Sequence, residues 1–183
     1  MSSLPCKDRL IIYSGGQTGA DIAAWKAARA FGLPTGGYMV DNYVAEDGHH
    51  PEYASLYGAE LLGCRPGSTI AAQYRQRALA NVQLAEATIC FDTCASKATA
   101  NAIEDAIRYG KHLRVVDLVK DGTSVLNQGS YIPADIADWI RDESIGSLNV
   151  AGNRSSKAPG IERYVLNFMS SVFWRLGLQS VTK

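Results

Sequence analysis

The chain has 183 residues, 46% hydrophobic and 20% charged, the balance of an ordinary globular protein and not of a disordered, collagen-like or low-complexity one. That length suits a single domain, 1–183, and is short for two. Eighteen Lys and Arg offset eighteen Asp and Glu, so no overall positive field draws nucleic acid or an anionic membrane, and an anion would have to be held by a local pocket.

The apolar run Leu10–Tyr13 follows directly on Lys7, Asp8 and Arg9. It is too brief for a signal-peptide core or a membrane span, which points to a cytoplasmic location. It ends in Ser14-Gly15-Gly16 and reads as a buried strand entering a glycine-rich turn. Ala20, Ala23, Ala24, Ala27, Ala28 and Phe31 then repeat at helical spacing up to Gly32-Leu33-Pro34. Such small side chains let a helix approach a sheet closely. Thr35–Val40 reads as a second strand and Asp41–Tyr53 as a polar loop. Ser68–Glu86 lacks internal Gly and Pro and predicts one long helix, followed by a third strand, Thr88–Phe91, and the loop Asp92–Lys97. A helix from Thr99 through Ile107 stops at Gly110, and Leu113–Asp117 is the fourth strand. After a loop, Leu118–Tyr131, Pro133 opens a helix reaching Arg141, and Leu148–Val150 is the fifth strand. The loop Gly152–Gly160 leads into a last helix whose apolar face carries Ile161, Val165, Phe168, Met169, Val172 and Leu176.

Short apolar strands alternating with helices predict an α/β fold, a doubly wound parallel sheet in three α/β/α layers. Ligands bind such sheets beyond the strands' carboxyl ends, where the strand order reverses. With strand two on one side of strand one and strand three on the other, the Ser14–Asp21 turn and the Asp92–Lys97 loop would meet there.

Ser14-Gly15-Gly16-Gln17-Thr18-Gly19-Ala20-Asp21 combines a strand end, three glycines, a hydroxyl and a helix start, suited to cradling a phosphate on backbone N–H groups and the helix dipole. It is neither GxGxxG nor a Walker A loop, which argues against NAD binding and nucleoside-triphosphate hydrolysis. The alternative is a tight turn with Asp21 as a charge match for the helix. The loop after the fifth strand offers Arg154 as a planar fork, Lys157 as a point charge and Ser156 as a hydroxyl donor, or else is a solvated polar loop. Tyr74, Arg77 and Asn81 share one helical face, aimed at the site or at a dimer surface. Glu46-Asp47-Gly48 is either an acidic contact to a heterocyclic edge or an exposed turn. The four cysteines, Cys6, Cys64, Cys90 and Cys94, form no CxxC pair, and His49, His50 and His112 lack metal-ligand spacing, so no metal site is expected. Without a compelling catalytic triad or carboxylate pair, the visible chemistry is recognition of a phosphate-bearing heterocycle and not catalysis.

Four of these segments occur together and in order: Ser14–Asp21; Ala45–Gly48; Tyr74–Arg77 with Asn81-Val82; and Asn149–Gly152 with Ser156-Lys157 and Pro159-Gly160. Together they resemble the molybdenum cofactor carrier family, from Ile11 to the last helix. The resemblance implies a Rossmann-like fold related to lysine-decarboxylase-like phosphoribohydrolases, forming homodimers or homotetramers. It also implies that the protein binds and protects molybdopterin-type cofactor for delivery to molybdoenzymes. Carried over, Gly15, Gly16, Gln17, Thr18, Gly19 and Asp21 would line the phosphate or pterin. Arg77, Asn81, Gly152, Arg154, Ser156 and Lys157 would surround its anionic end. Relatives usually carry a second glycine-and-threonine loop after the third strand; here Cys94-Ala95-Ser96-Lys97-Ala98-Thr99 leaves Lys97 and Thr99 to substitute for it. Relatives also tend to have Thr-Glu where Ala78-Leu79 stand. Two other functions remain open: N-glycosidic hydrolysis of a nucleotide, for which Glu104 beyond Thr99 would serve as acid or base, and sequestration of a nucleotide signal without turnover.

Overall fold

A computed structural model describes residues 10–92, 97–120, 126–127 and 131–181. Its centre is a parallel sheet of six strands: β1 (Ile11–Tyr13), β2 (Thr35–Met39), β5 (Ala59–Leu61), β6 (Ala87–Asp92), β7 (His112–Asp117) and β10 (Ser147–Gly152). The order across the sheet is β5-β2-β1-β10-β6-β7. With its covering helices this is the expected α/β, Rossmann-like arrangement.

Strand polarity explains the layers. In β10, Leu148 and Val150 face a large core built with α1 (Ala20–Ala30), α5 (Pro133–Asp142) and α6 (Ile161–Arg175). The alternate residue Asn149 instead reaches Thr88 of β6, Nδ2 to Oγ1 at 3.4 Å. The opposite layer, α3 (Ile70–Leu84) and α4 (Lys97–Arg108), encloses a smaller cluster of Val82, Cys90, Ala102 and Ala106. The alanine face of α1 is fully buried, as its spacing predicts, and lets α1 lie against both β10 and α6. The other side of α1 buries Trp25, whose indole N–H donates to Gly36 O (3.0 Å) and whose ring stacks on Tyr57 at 5.0 Å. Tyr57 belongs to α2 (Tyr53–Tyr57), a single turn that leads into edge strand β5.

Several features depart from the sequence-based expectation. The polar stretch Asp41–Tyr53 is not a plain loop: after a turn at Asp41–Tyr43 it forms a hairpin of β3 (Val44–Ala45) and β4 (Gly48–His49), with Glu46 and Asp47 at its tip. Its two-residue strands are too short for alternation to register. The neighbour of β1 opposite β2 is also not the third strand, β6, but the last one, β10. The unbroken buried run Ser147–Val150 requires a partner on both sides and so suits the centre of the sheet. Consequently the loop meeting the glycine-rich turn directly is the one after β10. Of the Asp92–Lys97 loop, residues 93–96 lie outside the described set, Cys94 among them. The Leu118–Tyr131 stretch contains a small hairpin, β8 (Val119–Lys120) with β9 (Leu126–Asn127).

The α3–α4 layer is tied by charge as well as packing. Asp105 is buried in α4, with its side chain 2% exposed, and both its oxygens accept from Arg75, at 2.5 and 2.8 Å. Removing the guanidinium strands a buried carboxylate, at a cost of about 1–3 kcal/mol. Arg75→Met should therefore lower the urea midpoint by that amount divided by an unchanged slope, whereas an unaltered midpoint would mean the pair contributes nothing to folding.

Candidate functional site

The site lies at the carboxyl ends of β1 and β10. Because these strands are adjacent, the loops leaving them run side by side, and Ala20 N donates to Asn153 O at 3.2 Å. Asn153 N in turn donates to Phe91 O (3.1 Å), which fastens the second loop to β6. The approach is so close that side chains are excluded at two positions. A Cβ on Gly19, whose φ is +83°, would stand 2.5 Å from Asn153 O; one on Gly152 would stand 2.4 Å from Phe91 O.

Gly15 and Gly16 are small for other reasons. A Cβ at Gly15 would overlap the Arg77 guanidinium, and one at Gly16 would press on Met39 Sδ at 2.6 Å. The two glycines thus let α3 and β2 close over the turn. Arg77 Nη1 donates to Gly15 O (2.6 Å) and to Asp21 Oδ2 (3.2 Å), and its guanidinium carbon lies 5.6 Å from the Tyr74 ring centre. Its Nε is buried without a hydrogen-bond partner. Burial pushes the Asp21 carboxyl above its ordinary value, with Arg77 and the Gln17 N–H opposing the shift. Beside this pair is a cavity of about 30 Å³, lined by Gly15, Asp21, Arg77, Asn81, Ala102 and Asn149 among others. That volume holds about one water molecule, far below the several hundred Å³ of a typical ligand pocket.

Asn81 has a different task. β1 ends at Tyr13, so Tyr38 of β2 has no strand beside it on that side. Asn81 fills the gap: its Oδ1 accepts from Tyr38 N (2.7 Å) and its Nδ2 donates to Tyr38 O (3.0 Å). The side chain prolongs the ladder from α3.

The outer part of the site is organised around Glu46 at the tip of the β3–β4 hairpin. Thr18 Oγ1 donates to Glu46 Oε1, which also accepts from Ser156 N at 3.1 Å, while Ser156 Oγ donates to Oε2 at 2.5 Å. Arg154 Nε stands 3.9 Å from Oε2. Ser155 N donates to Thr18 Oγ1 (3.3 Å), which turns the threonine proton toward the carboxylate. Gln17 Oε1 accepts from both Glu46 N (2.7 Å) and Thr18 N (3.0 Å), joining hairpin and turn. Burial would raise the Glu46 carboxyl, but the bonds from Ser156 and Thr18 outweigh it and hold it below the usual range.

Among the sequence-selected residues, Gln17, Thr18, Arg154 and Ser156 therefore gather around one point. Gly15, Asp21, Arg77 and Asn81 gather around the small cavity, and Gly19 and Gly152 lie at the loop contact. Lys157 is exposed in the turn before α6, Lys97 is exposed at the start of α4, and Thr99 is buried one turn before Ala102. His50 hydrogen-bonds Asp47 and Glu52, at 2.9 and 3.0 Å, and stacks on Tyr53, tying the far side of the hairpin to α2. Cys90 is buried, and its thiol is pushed up to about 12 by burial.

A doubly wound α/β domain with a cradle between adjacent strand ends is a ligand-binding architecture of the Rossmann-like class. The chain belongs to the circularly permutated YpsA SLOG family, whose model matches residues 12–173. It is also similar to the crystal structure of a "putative molybdenum carrier protein" from Syntrophus aciditrophicus SB, at 30% identity and a TM-score of 0.69, over 89% of this chain and 93% of that one. No curated protein matches it. Among the described residues no helix is long and apolar enough to cross a membrane.

Two outcomes test these assignments. Asn81→Ala leaves Tyr38 N–H and C=O without their partner and should cost about 1–3 kcal/mol in urea unfolding, against none if the amide is dispensable. The folded Asp21 carboxyl takes up its proton at higher pH than the unfolded one, near 3.8. Its burial thus weighs against folding as pH rises through the folded value and vanishes below the unfolded one. Asp21→Asn should gain in stability relative to the natural protein as pH rises above the unfolded value near 3.8, while a pH-independent offset would refute the assignment.

Proposed function

We propose that the protein binds a phosphate-bearing pterin, the molybdenum cofactor, at the β1–β10 loop junction and holds it for delivery to molybdoenzymes, without turning it over. The observation that carries this reading is the cradle around Glu46, where two hydroxyls, a backbone N–H and an arginine converge on an anionic group. These are the donors a phosphate monoester takes. The similarity to the "putative molybdenum carrier protein" of Syntrophus aciditrophicus SB supports the cofactor as cargo.

The residues fit the phosphate end of such a ligand through Thr18, Ser156 and Arg154. The heterocycle would lie toward Tyr74 and Arg77, where a ring and a guanidinium plane offer stacking surfaces. Absence of turnover is supported at Asp21, whose carboxylate is bound to Arg77 beside a cavity with room for about one water.

Native mass spectrometry of anaerobically purified protein, with added molybdenum cofactor and separately with purine nucleotides, tests this directly. A one-to-one pterin adduct without nucleotide binding is the expected result. An intact nucleotide adduct would instead indicate a nucleotide-sequestering protein, and release of base and sugar phosphate a hydrolase. Arg154→Ala should weaken cofactor binding more than tenfold, about 1.4 kcal/mol, with the fold intact by circular dichroism; an unchanged Kd would remove Arg154 from the site.

A further inference from the structure

We infer that Glu46 is a built-in substitute for the ligand's anionic group, and that the β3–β4 hairpin is a latch which an incoming phosphate must displace. This deepens the function proposed above and rests on its placing of the phosphate between Thr18, Ser156 and Arg154.

Three observations carry it. The carboxylate takes the cradle's donors for itself: Thr18 Oγ1, Ser156 N and Ser156 Oγ all point at it, and its side chain is 18% exposed although the tip's backbone is open to solvent. An anion entering the same donors must break these bonds.

The carboxylate also under-fills the cradle. Arg154 Nε remains 3.9 Å from Oε2, beyond hydrogen-bond reach. A phosphoryl group carries a third oxygen and a second charge, and is the larger tetrahedral anion that brings Arg154 into contact. The donor set therefore discriminates between its resident and a phosphate.

The hairpin is held to the rest of the site mainly through its tip. It is entered through Asn42 and Tyr43, consecutive non-glycine residues at φ 60° and 53°, a conformation that bulky side chains adopt only under constraint from their surroundings. Gly48, at φ 142° with nothing near its Cβ position, follows the tip. Between these points, the tip is joined to the glycine-rich turn and the β10 loop by the Gln17, Thr18, Ser156 and Arg154 contacts, and β3 to α3 by Tyr74 Oη donating to Val44 O at 3.4 Å. Apart from the Tyr74 bond and the Asp47–His50 contact toward α2, these converge on the one residue Glu46.

The latch acts as a conformational tax on anion binding: if the open state is populated less than about a tenth of the time, the apparent Kd is raised at least tenfold over the intrinsic one. The test is calorimetric titration of the full chain with inorganic phosphate, paired with amide hydrogen exchange over residues 44–49. Glu46→Ala should bind phosphate at least tenfold more tightly than the natural protein. Glu46→Gln, which keeps the shape and loses the charge, should gain in the same direction, and Arg154→Ala placed on top of Glu46→Ala should abolish the gain. In the natural protein, phosphate should accelerate exchange across the hairpin.

Unchanged or weaker phosphate affinity in both Glu46 variants overturns the latch. So does a gain in affinity without any phosphate-dependent change in exchange at 44–49. The cofactor reading fails separately. Phosphate behaviour as expected with no pterin adduct leaves the latch standing and removes the pterin, whereas a pterin adduct with no phosphate response does the reverse.

Discussion

The structure depends on one adjacency, the pairing of β1 with β10. These are the first and last strands of the sheet, and their register, Ile11 with Ser147 through Tyr13 with Asn149, sets two loops side by side at the carboxyl edge. From that contact follow the side-chain-free positions Gly19 and Gly152, the Ala20–Asn153 hydrogen bond and the meeting of Thr18 with Ser155 and Ser156.

Charge is sorted into two shells by this geometry. Asp21 and Arg77 lie inside, against the Gly15 backbone, and form a pair whose work is to hold α3 over the turn. Glu46 and Arg154 lie outside, where solvent screens them and hydrogen bonds to Thr18 and Ser156 fix their relation. The inner pair is costly to disturb because both groups are largely desolvated. The outer one can exchange partners. A ligand that trades places with a side chain should do so in the outer shell.

Much of this was legible in the sequence. The alanine spacing of α1, the apolar strands and the turn residues at Gly15–Gly19 each state a local preference that the tertiary structure satisfies. What could not be read was relational. Nothing in Ser147–Gly152 says that it pairs with β1 and not with another strand, so the sequence-based expectation brought the Asp92–Lys97 loop to the turn before the Asn153–Gly160 loop. Asn81 shares a helical face with Arg77, but nothing in that spacing tells that its amide also extends a β-ladder whose neighbouring strand stops two residues short of Tyr38. Glu46 was visible as an acidic turn residue, but its reach to Thr18 and Ser156 spans 28 and 110 positions, beyond any local pattern. Gly15 and Gly16 satisfied a phosphate-loop pattern while owing their size to Arg77 and Met39.

An anion cradle made only of donors has a problem of its own when no ligand is present. Converging hydroxyls, N–H groups and a guanidinium repel one another and must otherwise be solvated at a partly covered site. Seating an internal carboxylate there removes that repulsion and satisfies the donors, so the ligand-free protein is stable without a bound ion. The same carboxylate sets a threshold for entry, because a neutral molecule offers the donors less than Glu46 already does. It also lowers the net affinity for the cargo, since every binding event must first displace the resident group. In the carrier function proposed above that loss is useful, because the hairpin returning to the cradle competes with the departing phosphate.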